Sequence, residues 1–195
     1  MRWSDADVAG RAMDAAVRGG IRCVEFTMTT PDVLALIARF AANPDLVVGA
    51  GTVLTVDQAR AAADAGARFL VSPVVDTSVI EEAHRLDVAA MPGTYSPTEM
   101  WEAHRAGAQL QKLFPITAGG PEHVRSVLGP LPFLRIVPTN GVTIDNAAQY
   151  LAAGAYAVGF VRALFETDDM EHGRFDAIQA RATAMVRAVG RSLSE

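Results

Sequence analysis

The feature that most constrains this chain is its alternation between two kinds of segment. Short apolar runs rich in β-branched residues recur at 23–28, 46–54, 69–75, 88–92, 110–115, 133–139 and 155–160. Alanine-rich stretches with helical spacing fill the gaps, at 5–18, 31–42, 56–65, 78–86, 97–106, 121–128 and 144–153, and a final helix is expected over about 173–192. Strands that alternate with helices of this length pair in parallel through right-handed crossovers.

Small residues close the helices before the next strand, as in Ala65-Gly66-Ala67, Ala106-Gly107-Ala108 and Ala153-Gly154-Ala155. Glycine suits the left-handed cap such an ending needs. Their recurrence every roughly 20–25 residues reads as repeated βα units. Helix starts carry signals too: Ser78 ahead of Glu81, Ser96-Pro97 with Glu99, and Thr143 ahead of Asp145. No linker or low-complexity tract divides the 195 residues, so one α/β domain over 1–195 is expected. An open doubly wound sheet is disfavoured, because Gly49-Ala50-Gly51-Thr52-Val53-Leu54 lacks the third glycine of a dinucleotide fingerprint. A (β/α)8 TIM barrel is favoured. It needs eight strands, of which seven are visible, so the first strand is expected to be truncated or missing at the N-terminus.

Composition removes several function classes. Net charge is −5 and no basic cluster exists, which argues against nucleic acid as a partner. No apolar run approaches the roughly 18 residues of a membrane span, and the first residues lack the apolar core of a signal peptide. Cys23 is the sole cysteine, so an internal disulfide and two-cysteine metal motifs are excluded. These features read as a reduced, soluble, cytoplasmic protein. The four histidines, His84, His104, His123 and His172, fall outside the expected strand ends and are read as surface residues rather than metal ligands.

Of the 17 lysine and arginine residues, all but Lys112 are arginine. A codon bias toward arginine explains the excess on a surface indifferent to which cation it carries. Lysine and arginine differ as chemistry, because lysine can lose its proton and act as an amine nucleophile. Lys112 and Glu25 each interrupt an apolar strand. Isolated buried charges are costly, so such groups are paired or have shifted pKa values. Two readings follow: a static buried ion pair, or a desolvated amine beside a carboxylate that moves protons, the two roles that Schiff-base chemistry needs.

Six segments carry a resemblance: Val24-Glu25-Phe26-Thr27, Gly49-Ala50-Gly51-Thr52-Val53, Val71-Ser72-Pro73, Met91-Pro92-Gly93, Lys112-Leu113-Phe114-Pro115 and Val137-Pro138-Thr139-Asn140-Gly141-Val142. In this order and spacing they resemble the 2-keto-3-deoxy-6-phosphogluconate and 4-hydroxy-2-oxoglutarate aldolases, class I enzymes. The resemblance covers nearly the whole chain. It implies a (β/α)8 barrel, a metal-free and cofactor-free lyase, a 2-keto acid as small-molecule substrate, and a homotrimer. By position it makes Lys112 the Schiff-base lysine and Glu25 the general acid and base. Thr52 and the Gly51 backbone would hold the pyruvate-end carboxylate. Pro92 and Phe114 would shape the pocket, and Thr139, Asn140 and Gly141 would lie toward the distal, phosphate end.

The chain departs from the family in three places, and its start is unusual. Val161 and Arg162 stand where the family has a small pair in a phosphate-binding turn. Arg162 either supplies a charged fork for phosphate or carboxylate or merely caps a surface helix. Asn140 replaces a common glycine, a change a left-handed turn tolerates. Thr29 stands where many members have arginine, which shifts carboxylate binding onto Thr52. Arg2 aligns with an arginine at the end of the family's first strand and joins the candidate substrate-binding set. That places the first residues at a strand's tail and leads to the expectation of a longer native chain or an open seam. Two other functions fit the same alternation: a non-catalytic oligomeric scaffold, and another phosphate-binding barrel such as an epimerase.

Overall fold

In the computed structural model, which describes residues 1–116 and 119–192, strands and helices alternate along the chain. In order they are α1 (Ala6–Arg18), β1 (Cys23–Thr27), α2 (Val33–Ala41), β2 (Val47–Gly51), α3 (Val56–Asp64), β3 (Phe69–Ser72), α4 (Thr77–Arg85) and β4 (Ala89–Thr94). Then follow α5 (Pro97–Arg105), β5 (Gln111–Leu113), α6 (Gly120–Leu128), β6 (Ile136–Pro138), α7 (Ala147–Ala152), α8 (Thr167–Glu171) and α9 (Phe175–Ser192). The strands form one parallel sheet in sequence order, β1 to β6, as repeated βα units dictate.

Local chemistry sets the boundaries. The Ser96 hydroxyl and Glu99 carboxylate form the expected reciprocal cap of α5, with Pro97 in the first turn. At α4 the cap is Asp76 rather than Ser78: its carboxylate accepts from the amides of Ser78 and Val79. Gly66 turns the chain from α3 toward β3 at φ +101°, and Gly154 ends α7 at φ +99°, where a Cβ would be strained.

Strand alternation divides the sheet into two faces. Val24, Phe26, Val48, Ala50, Leu70 and Ala90 point toward the helices and join Ile37, Phe40, Ala59, Ala62, Val79 and Ile80 in the main core. Burying each large side chain there contributes about 1.5–3 kcal/mol. Around β5 and β6 a second core gathers Met100, Leu113, Val124, Val127, Ile136 and Tyr150. Helix α9 returns against α1 so closely that a Cβ on Gly19 would meet the Ala182 Cβ at 2.5 Å.

The seventh apolar run, 155–160, makes no regular strand. The Tyr156 and Gly159 amides donate to the carbonyls of Ile136 and Pro138, both at 2.9 Å. One segment therefore advances three residues while the other advances two. This bulge breaks the ladder, and a single bridge, Thr139 to Gly159, remains. At the other edge, the Met1 carbonyl accepts from the Thr27 amide at 2.9 Å and the Met1 nitrogen donates to the Glu25 carbonyl. Met1 is thus paired to β1 as the tail of a parallel strand would be. The short α8 had no counterpart in the sequence pattern. Among the described residues, no helix is long and apolar enough to cross a membrane.

Candidate active site

The strand register brings the sequence candidates together. Glu25 pairs with Gly49 and Thr27 with Gly51. Gly49 pairs with Phe69, Phe69 with Ala89, and Val71 with Met91. Gly93 pairs with Lys112, and Lys112 with Val137. By period-two alternation all of these side chains, and Thr139, share the face away from the helices. Glu25 and Lys112 therefore lie on one inner surface, four strands apart. In a flat sheet that separation is about 19 Å, beyond the roughly 10 Å over which exposed charges act in salt. The Glu25 charge nevertheless acts on Lys112. The sheet curls and brings its first and fifth strands face to face.

Glycines make the room. A Cβ on Gly51 would fall 1.7 Å from Glu25 Oε1, so the carboxylate rests on the bare Cα of that residue. A Cβ on Gly49 would strike the Phe69 ring at 2.3 Å, and one on Gly93 the Pro73 carbonyl oxygen at 2.4 Å. Gly49 and Gly93 were missed as site positions. Their signal was present in the sequence, since Gly49 and Gly51 are two apart and so share a face with Glu25.

The Lys112 amine is partly desolvated. Desolvation pushes its pKa below the ordinary lysine value, the nearby Arg2 charge pushes the same way, and the Glu25 charge opposes both. Its Nζ lies 4.8 Å from the Phe114 ring centroid, so Phe114 forms one wall beside the amine. Glu25 and Lys112 share neither a hydrogen bond nor an ion pair, and neither head group is fully enclosed. No static ion pair therefore joins the two groups. Thr94 at the end of β4 holds the strand that carries the lysine, its hydroxyl donating to the Lys112 carbonyl at 3.1 Å.

Arg2 and Thr52 also come together. Arg2 Nη2 donates to Thr52 Oγ1 at 3.0 Å. Thr52 sits at φ +58°, a left-handed conformation unusual for a β-branched residue and of the kind found at ligand sites. Arg2, Gly51 and Thr52 therefore cluster at the C-terminal end of β2. Pro92 has the parity of Ala90 and is buried on the helix-facing side, so its side chain is not on the surface that carries Lys112.

Thr139, Asn140 and Gly141 form the turn after β6. Asn140 takes the left-handed conformation at φ +66° and Gly141 follows at +119°. A Cβ on Gly159 would meet Thr139 Oγ1 at 2.8 Å, which places the run after α7 against that hydroxyl. Arg162 is exposed in the next turn and, among the described residues, makes no hydrogen bond or ion pair, so it caps no described helix. Among the histidines, His123 is half-buried rather than a plain surface residue: it stacks on Tyr95 at 5.5 Å, with Nε2 2.9 Å from the Tyr95 carbonyl oxygen. Among the described residues no three metal-ligating side chains converge.

A desolvated amine and a carboxylate share the inner surface of a curled parallel sheet, the two kinds of group that Schiff-base chemistry uses. Residues 1–181 match the KDPG and KHG aldolase family, where KDPG is 2-keto-3-deoxy-6-phosphogluconate and KHG 4-hydroxy-2-oxoglutarate. The 2-dehydro-3-deoxy-phosphogluconate aldolase of Pseudomonas aeruginosa is 39% identical over 150 residues, 76% of this chain and 68% of that protein. A structure described as native KDPGal superposes with a TM-score of 0.87 at 26% identity, covering 100% of both chains. The KDPG aldolase of Legionella pneumophila, with pyruvate captured as a covalent carbinolamine intermediate, gives 0.85 at 26% identity over 94% of this chain and 90% of that one. The chain belongs to the KDPG and KHG aldolase family.

Proposed function

We propose that this protein is a class I aldolase that reversibly cleaves a 2-keto-3-deoxy sugar acid, phosphorylated or not, or 4-hydroxy-2-oxoglutarate. The products are pyruvate and an aldehyde such as glyceraldehyde 3-phosphate or glyoxylate. The observation that carries this reading is the placement of the one lysine on the inner face, its pKa lowered by burial, with Glu25 across the curl.

The neutral Lys112 amine attacks the C2 ketone. Glu25 moves protons between the amine and the departing oxygen, the carbinolamine loses water, and an iminium forms. Glu25 then takes the C4 hydroxyl proton. The C3–C4 bond breaks with its electron pair flowing into the iminium, the aldehyde leaves, and an enamine remains. Glu25 returns the proton to C3, and water hydrolyses the new iminium to pyruvate and free Lys112. Thr52 Oγ1, the Gly51 backbone and Arg2 hold the carboxylate, and Phe114 confines the keto acid. Thr139, Asn140, Gly141 and Arg162 face the distal group. The complete enzyme is a cytoplasmic homotrimer of (β/α)8 barrels.

Incubation with pyruvate, reduction with borohydride and mass spectrometry test this. The expected result is one pyruvate-derived adduct per chain on Lys112. A folded protein that stays unmodified under conditions that label another member of the family overturns the proposal.

A further inference from the structure

Gln111, next to the nucleophile, is among the most buried polar side chains, at 1% exposure. A glutamine there is costly unless both ends of its amide are bonded. Both are: Nε2 donates to the Ala108 carbonyl at 3.2 Å, and Oε1 accepts from the Arg135 amide at 2.9 Å. Its own backbone amide donates to the Arg135 carbonyl at 3.0 Å. Gln111 thus grips the residue that leads into β6 through both its backbone and its side chain.

The need for this grip follows from the strand. β5 has three residues, so its ladder is short. Its hydrophobic pattern is also ambiguous. Leu110 and Phe114 share the parity of Lys112, while Leu113 shares that of Gln109 and Gln111. Neither face is distinctly the apolar one. A slip of one residue turns every side chain to the opposite face. Here it would bury the lysine among the helices and place Gln111 or Leu113 in the site. β1 and β2 have an unbroken apolar row toward the helices, Val24 and Phe26 in one and Val48 and Ala50 in the other, and need no such device.

We infer that Gln111 is a positioning residue that pins the register of β5 and so holds Lys112 on the inner face. Buried polar groups act this way where apolar packing alone leaves the alignment degenerate. Thr94 supplies the matching bond on the β4 side, from its hydroxyl to the Lys112 carbonyl. The inference rests on the aldolase reading for its catalytic consequence, but not for its structural one.

The test compares Gln111→Met, close in volume but unable to make either bond, and Gln111→Leu with wild type. Borohydride trapping with pyruvate is read per folded molecule, and hydrogen exchange is read at the Gln111, Thr139 and Phe114 amides, which donate across β5. Trapping is expected to slow at least tenfold, with faster exchange at those amides, while the Tm of Gln111→Leu holds near or above wild type. A residue that serves only stability would lower Tm and leave the rate per folded molecule unchanged. Folded variants that label at the wild-type rate, with unchanged exchange, overturn the inference. If wild type itself does not label, the aldolase reading fails, and exchange alone decides: unchanged protection in both variants overturns the register pin, and loss confined to β5 sustains it.

Discussion

The Glu25 carboxylate rests on the Cα of Gly51, where a Cβ would come within 1.7 Å of Oε1. A residue two strand positions from Gly49 thus decides where the Glu25 carboxylate can sit. Gly51→Ala is expected to fold, because the strand requires no positive φ at 51, but to push the carboxylate out of line. General acid–base groups contribute roughly 10²- to 10⁴-fold, so kcat should fall on the order of 100-fold while KM changes little. Steady-state kinetics with an unaltered far-UV spectrum checks this. A Gly51→Ala enzyme with wild-type kcat would mean that Glu25 does not act from this position.

The pH profile should follow the charges around Lys112. Only the neutral amine attacks, so kcat/KM rises with pH through the lysine pKa, which desolvation and Arg2 depress and Glu25 raises. Removing the cation in Arg2→Gln should raise that pKa and move the acidic limb to higher pH. Activity then falls most at neutral pH and recovers toward alkaline pH. Removing the anion in Glu25→Gln should move the limb of Schiff-base trapping the other way, to lower pH, even as turnover collapses. Opposite displacements are the expected result, and limbs that move together would contradict the electrostatic account.

The same desolvation makes Lys112 a liability for folding. A lysine whose folded pKa is lowered binds protons more weakly in the native state than in the unfolded one, so it destabilises the fold fully below the folded pKa. Stability is regained as pH rises from the folded toward the unfolded value. Lys112→Met should therefore abolish trapping yet raise Tm at neutral pH. A gain of about 1 kcal/mol corresponds to roughly 2–4 °C in a chain of this size. The gain should shrink as pH approaches 10, which calorimetry across pH can follow.

How much was legible in advance differs by region. β1 to β4 carry apolar rows of the right period, and their positions were readable to within a few residues. Run 155–160 looked equally apolar, but the bulge between Tyr156 and Gly159 depends on how it meets Ile136 and Pro138, which one segment does not encode. Lys112 and Glu25 were readable because a charge in an apolar strand is conspicuous. Gly49 and Gly93 were passed over despite the visible spacing of Gly49 from Gly51, because a glycine signals an absence and its meaning depends on which ring or carbonyl fills the space. Pro92 was credited to the pocket by resemblance, whereas alternation along β4 turns its ring toward the helices.

The distal end offers the sharpest test of specificity. In the turn after Gly159, the Val161 carbonyl accepts from the amides of Leu164 and Phe165 at 3.1 and 3.0 Å, so those two amides are spent inside the turn. The turn is fixed from behind: Arg181 Nη1 donates to the Leu164 carbonyl at 2.6 Å, and its Nη2 donates to the buried Asp169 carboxylate at 2.5 Å. On this braced turn Arg162 is exposed and has no partner among the described residues. A guanidinium so placed favours a doubly charged distal group over a neutral one. If it binds substrate phosphate, Arg162→Ala should raise KM for phosphorylated 2-keto-3-deoxy acids by about 10- to 100-fold, as expected for a charged hydrogen bond of roughly 1.5–3 kcal/mol. Pyruvate trapping at Lys112 should be unaffected, since that half of the substrate lies across the curl. Paired assays with phosphorylated and unphosphorylated substrates check the split, and equal kinetics for wild type and variant on both would remove Arg162 from the site.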